Sequence, residues 1–261
     1  MTRGAVAGLA AATLLLLACS VGATSGDEPV AAPTLGGGAT TASTDAAATA
    51  TAVERLRAGT AFVDRTSFRA DVDIASQITT LSHTDNPHRR SVSTVSMGGR
   101  GIEIRMIDDE LYLRSDLDLQ GVGHGWMVLD PARVPADFAL TFAPGRNDPG
   151  GSARLIDAIV AARTDGPQIT GTLDLTRVGS GNGISFRPGP DGTFPDGARS
   201  HTFHATLDAE GRLVSFLIPA ANGIPNASLR YSDFGAAVDV VRPEGAVAAP
   251  EALYPQLGLG G

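Results

Sequence analysis

From Ser67 onward, apolar and polar residues alternate with a period of two over much of the chain, and that alternation predicts strands. Phe68, Ala70, Val72 and Ile74 are separated by Arg69, Asp71 and Asp73, as in a strand with one buried and one wet face. Two further runs, about 91–97 and 100–107, flank Gly98-Gly99, a pair suited to a two-residue hairpin turn. In the second run Ile102, Ile104 and Met106 alternate with Glu103 and Arg105. Asp108-Asp109 turns the chain into a strand at 110–114, which carries Leu113; 125–130, with Trp126, reads as the next. Strands are also predicted at 168–175, 200–207 (with Phe203), 212–218 and 227–233, and a short one at 238–241.

Helical periodicity is confined to two places. Thr51-Ala52-Val53-Glu54 has capping-box spacing, and Val53, Leu56, Thr60 and Val63 share a stripe, which predicts a helix over 52–64. Ser152 as N-cap and the stripe Leu155, Ile156, Ile159 and Val160 predict a second over 152–163. Asp130-Pro131 caps a short turn that Pro135 limits. Residues 179–199, dense in Gly, Pro and Asp, read as a long surface loop, and the tail from Pro243 is expected to fray. The fold class that follows is α+β: a curved antiparallel half-barrel sheet of about 8–11 strands closed by two or three short helices.

Cover for that sheet is short. Strands lie about 4.8 Å apart and a helix is about 10 Å across, so a three-turn helix hides about three strands. The sheet then either fills itself or leaves an apolar cavity. Alternation places Phe68, Val72, Ile74, Ile102, Ile104, Met106, Leu113 and Phe203 on the inward face, with Trp126 at a strand end where a cavity rim would lie. These are the candidate ligand-lining residues.

The N-terminal end is of another kind. Arg3 precedes an uncharged run from Gly4 to Ala18, followed by Cys19, the single cysteine. The run is shorter than the roughly 20 apolar residues of a membrane-spanning helix and has the layout of a secretory signal. Leu16-Leu17-Ala18-Cys19 matches the lipobox of bacterial lipoprotein precursors. That resemblance implies removal of 1–18 and diacylation of Cys19, and hence a lipid anchor on the extracytoplasmic face of the cell membrane. Two acyl chains anchor stably where one does not. Residues 20–50 are almost all Ala, Thr, Gly, Ser and Pro, a composition expected to form a flexible tether. The expected divisions are a signal at 1–18, lipidated Cys19 and tether at 19–50, a folded domain at 51–245 and a flexible tail at 246–261.

Charge narrows the partners. Asp and Glu number 28 against 20 basic residues, all arginine, for a net charge of −8. An acidic chain without a basic cluster argues against nucleic acid, and leaves membrane attachment to the acyl group. With its one cysteine assigned to the anchor, the domain has no disulfide and relies on the 43% of its residues that are apolar. Neither a cofactor nor a metal is expected. His201-x-x-His204 sits on a predicted strand, where an i, i+3 pair faces opposite ways. His83 and His88 flank a turn, and Asp108-Asp109-Glu110 reads as a hairpin turn in preference to a calcium site. The zincin, nucleophile-elbow and phosphate-loop motifs are absent from the sequence, and the chain is read as non-catalytic.

One resemblance spans roughly 51–245. The order is lipobox, tether, helix and strand meander, then Gly125-Trp126 with Asp130, a helix, and Gly171-Thr172 with Asp174-Leu175. Asp208 with Gly211-Arg212-Leu213, and Tyr231-Ser232-Asp233-Phe234-Gly235 with Val238-Asp239-Val240, complete it. This resembles actinobacterial lipoproteins of the LppX/LprG type, with a fold like that of the LolA lipoprotein carrier. The resemblance implies a half-barrel closed by helices around a cavity for lipid acyl chains, and a protein that binds or shuttles a lipid or other apolar ligand. Residues 179–199, an insertion relative to that pattern, and 131–150, Pro- and Gly-rich in place of a longer helix, are both expected at the cavity mouth. The rival expectation is a structural or sensory lipoprotein with a filled core that acts on an envelope protein through its surface.

Overall fold

The computed structural model describes residues 39–135, 138–179, 183–189 and 191–259. Cys19, the signal-like run and the tether up to residue 38 lie outside the described residues. Strands β1 (Phe68–Ile74), β2 (Ile78–Asp85), β3 (Arg90–Met97), β4 (Arg100–Ile107), β5 (Glu110–Ser115) and β6 (Met127–Val128) come first. They are followed by β7 (Ile159–Asp165), β8 (Gln168–Leu173), β9 (His201–Leu207), β10 (Leu213–Ile218), β11 (Ala227–Ser232) and β12 (Val247–Ala248). Together they make one open, curved sheet in the order β12-β6-β5-β4-β3-β2-β1-β11-β10-β9-β8-β7. Every neighbouring pair is antiparallel except β12 with β6. The helices are α1 (Ala39–Gly59), α2 (Ser152–Asp157), α3 (Leu175–Val178) and α4 (Leu253–Gln256). This is the half-barrel with few short helices that the alternation predicts.

Where alternation is strict, the boundaries agree closely. β1 coincides with the predicted strand, and Gly98 and Gly99, at φ 58 and 80, form the β3–β4 turn. Positive φ at both central residues is the requirement of that turn, and glycine meets it without strain.

Six expectations are corrected. The helix starts at Ala39, well before Thr51, so 39–50 is helical where a tether was expected. Alanine has the highest helix propensity, and the Thr49 hydroxyl ties this part down by bonding both the N–H and the C=O of Ala162 on β7, at 3.1 and 3.4 Å. The helix predicted over 152–163 stops at Asp157, and its second half becomes β7. Ile159 and Val160 are β-branched and fit a pleated edge better than a helix. Its N-cap is Gly151 in the left-handed region, and the Asp148 carboxylate, not Ser152, receives the first amides. Residues 179–199 are not merely a surface loop, since Ile184, Phe186 and Ala198 are buried in the core. Residues 238–241 are not a strand but cross the outer face, where Arg90 and Arg105 donate to the Val240 and Val241 carbonyls at 3.5 and 2.9 Å. Last, the tail does not fray: Leu253, Tyr254 and Leu257 are buried, so packed chain is found beyond residue 245 as well as before residue 51.

The covered face of the sheet carries two separate apolar clusters. The first lies over β1 and β7–β11, under α1, α2, α3 and the segment 184–198. The second lies over β4–β6, under the irregular segment 117–142 and the C-terminal segment 253–259. Between them, β2 and β3 turn small hydroxyls to the same face. Ser82 bonds Ser93 at 2.8 Å and Thr84 bonds Ser91 at 3.0 Å.

Candidate functional site

The sequence-predicted lining residues divide between the two clusters. Phe68, Val72, Ile74 and Phe203 belong to the first, which is closed by ring packing. Phe68 meets Phe62 and Tyr231 edge-on at 5.2 and 5.6 Å, and Phe203 stacks on Phe216 at 5.0 Å. Such contacts are ordinary core packing. Ile102, Ile104, Met106 and Leu113 belong to the second cluster, with Leu111, Met127, Leu129 and Leu140. Trp126 belongs to neither. In β6 it is Met127 that lies opposite inward-facing Leu113, so its neighbour Trp126 turns to the outer face. There the guanidinium carbons of Arg105 and Arg114 lie 4.6 and 5.1 Å from its ring. The rim position expected for Trp126 is therefore corrected.

Beside the second cluster is a cleft of about 460 Å³. Met106, Leu111 and Leu129 form its floor, and Val134, Leu140 and Phe142 its wall. The size falls within the roughly 300–1,000 Å³ of small-ligand sites. Its wall comes from 131–144, part of the Pro- and Gly-rich stretch expected at a cavity mouth. Leu111 and Leu129 sat within predicted strands, but Val134, Leu140 and Phe142 carry no periodic signal because their backbone is irregular.

The cleft's rim carries three carboxylates, Asp108, Asp109 and Glu110, and two guanidiniums, Arg89 and Arg242, bridge them. Arg89 pairs with Asp109 and donates to the Asp108 carbonyl at 3.3 Å, and its guanidinium carbon lies 5.5 Å from the Phe142 ring. Arg89 takes φ 53 in the β2–β3 turn, a region that ordinarily favours glycine. Arg242 bonds Glu110 at 2.5 Å. That bond holds the Glu110 carboxyl below its ordinary value against the opposing effect of burial, and the Tyr112 hydroxyl adds to it. With two guanidiniums for three carboxylates, the rim keeps one net negative charge beside the apolar floor.

A larger hollow of about 720 Å³ lies on the wet face, over Asp71, Asp73, Thr79, Thr94, Ser96 and Arg230. Most of its lining side chains are polar or charged, unlike the Met, Leu, Val and Phe side chains of the cleft.

A buried polar network sits beside the first cluster, to which Tyr231 belongs. Asp148 accepts from the Gly150 N–H at 3.0 Å, the Tyr231 hydroxyl at 2.5 Å, and the Ser152 N–H and hydroxyl at 2.7 and 2.6 Å. Burial, reinforced by the Asp148 charge, pushes the Tyr231 phenol well above its ordinary range. The one carboxylate thus ties the start of α2, through Ser152, to β11, through Tyr231. His201 and His204 fall on opposite faces of β9, the first buried with Nε2 2.8 Å from the Pro219 carbonyl and the second exposed. Among the described residues, no helix is long and apolar enough to cross a membrane.

No family model matches the chain, and no curated protein does. Among solved structures it is similar to the Mycobacterium tuberculosis lipoprotein LppX, with 12% identity and a TM-score of 0.40 over 74% of this chain and 99% of that one. It is also similar to a DUF1329 family protein from Desulfovibrio piger, with 10% identity and a TM-score of 0.19 over 76% of this chain and 95% of that one.

Proposed function

We propose that this chain is an extracytoplasmic lipoprotein, anchored to the cell membrane through acylated Cys19, that binds or shuttles a lipid or other apolar ligand without bond-making chemistry. The observation that carries the reading is the cleft over Met106, Leu111 and Leu129, an apolar trough with a polar rim beside the less regular half of the fold. An acyl chain laid there gains about 25 cal/mol for each Å² of apolar surface it buries, and needs no directional contact. The rim pairs would face its polar end.

Mass spectrometry of the full chain recovered from membranes of a lipoprotein-processing host tests this. Lipid should co-purify, and Val134→Trp, which fills the cleft, should abolish it while leaving the circular dichroism spectrum unchanged. Cys19→Ala should release the protein from the membrane fraction. Recovery of the wild-type chain with no lipid at any stoichiometry would count against a carrier.

The second reading, a structural or sensory lipoprotein, draws on the first cluster. Phe68 and Phe203 pack against the protein's own rings, and Val72 and Ile74 are buried in the same cluster. On this reading the cleft is incidental, and the chain acts on an envelope protein through its surface.

A further inference from the structure

We propose that the bed now filled by residues 249–259 is a second acyl-chain site next to the cleft, which the C-terminal segment occupies as a self-ligand until a lipid displaces it. This rests on the carrier reading above. The sheet residues Ile102, Ile104, Leu113 and Met127 are buried in one cluster with Leu253, Tyr254 and Leu257. The inward face most open to a ligand on sequence grounds is thus covered by the chain's own last turn.

What covers it is lightly built. α4 has four residues and β12 only two. β12 is held by the Val247 N–H on the Trp126 carbonyl at 3.0 Å and the Ala249 N–H on the Val128 carbonyl at 2.9 Å. The flanks, Ala248-Ala249-Pro250 and Gly258, offer little to pack. A segment joined to the sheet's backbone by only two bonds opens more readily than a full-length strand.

The segment is also coupled to the cleft. Tyr254 accepts the Asp130 N–H on its hydroxyl at 2.9 Å, and Arg133 pairs with Glu251 at 2.6 Å. The Arg133 guanidinium carbon sits 3.5 Å from the Tyr254 ring centre, and Gln256 donates to the Gln120 carbonyl at 3.3 Å. Asp130 and Arg133 lie between Leu129 and Val134, floor and wall of the cleft. A guest that shifts the wall pulls on the contacts that seat the tail. The guest and the tail compete in the same chemistry, since Leu253 and Leu257 present only hydrocarbon.

The test uses the full chain and a fluorescent long-chain fatty acid. A Cβ at Gly121 would lie 3.1 Å from the Ala252 Cβ, close to the roughly 3.5–4.5 Å of disulfides, so Gly121→Cys with Ala252→Cys staples the tail in place. The reduced double variant controls for strain at residue 121, where φ is 74. Oxidation should weaken fatty-acid binding on the order of tenfold or more, and reductant should restore it. Truncation after Ala248 should tighten binding by a similar factor; if the truncated chain fails to fold, the staple alone decides. Equal binding by the oxidised and reduced forms would overturn the proposal and leave the cleft reading standing. If no form, wild type included, takes up the fatty acid, the carrier reading fails and this proposal goes with it.

Discussion

Asp148 is the residue on which most of the interior's polar order converges. It receives four hydrogen bonds, from Gly150, Ser152 twice and Tyr231. A hydrogen bond to a charged group contributes about 1.5–3 kcal/mol, so Tyr231→Phe should lower stability by about that amount without disturbing the fold. Urea unfolding of the two proteins measures the difference. Asp208 offers a second test, through pH. Burial raises its carboxyl, but the Arg212 side chain and the Arg212 and Glu210 amides outweigh burial and hold it below its ordinary 3.8. A carboxyl depressed in the folded state adds stability above its unfolded value and loses it as pH falls through the folded one. The urea midpoint of wild type should therefore exceed that of Asp208→Asn near neutral pH. The gap should close as pH drops through and below 3.8.

At the scale of elements, strands were legible in the sequence where their inward positions are apolar or where a clear turn bounds them. β1 and β4 alternate plainly, and β3, whose inward face is partly serine, was legible from the glycine pair that joins it to β4 and fixes their register. β2 escapes the pattern because its inward positions include Thr80, Ser82 and Thr84, and the hydroxyls of the last two are satisfied by Ser93 and Ser91 across the sheet rather than excluded from it. The Ser82–Ser93 pair gives this a measurable form. Ser82→Ala should cost about 1 kcal/mol by leaving Ser93 short of a partner, and the double Ser82→Ala, Ser93→Ala chain should cost less than the two single changes added. A double-mutant cycle in denaturant reads it. α2 and β7 share one apolar run, and periodicity cannot divide a short run between helix and strand. The helical part of 39–50 was hidden by composition, because the contact that holds it, Thr49 to Ala162, joins residues far apart in sequence. Val134, Leu140, Phe142 and Leu253 line or fill the candidate site from irregular backbone, where no spacing rule applies.

The whole molecule solves its shortage of cover in two ways. Regular helices and stacked rings close the half over β7–β11, whereas irregular chain closes the half over β4–β6. Enlarging a side chain should separate the two. Phe203 lies within a stack of rings, and in such a place overpacking costs about 1–3 kcal/mol or more. Ala205→Leu, on the same buried face as Phe203, should incur that full penalty, while Ile104→Trp should incur less and should exclude ligand. Thermal melts with and without fatty acid distinguish them, and an equal penalty at both sites would favour the structural reading.

The placement of α1 has a mechanical consequence. It is the first described element, and it packs on β7, the edge strand at the far end of the sheet order. Load applied from the N-terminal side, as a membrane leash at Cys19 would apply it, enters the body through this helix. The helix should peel away before the strands yield, and an optical trap pulling on that end should record a small early rip of its 21 residues. What such tension lays bare is a β7 backbone edge that Thr49 had kept occupied, ready to zip onto a neighbouring copy.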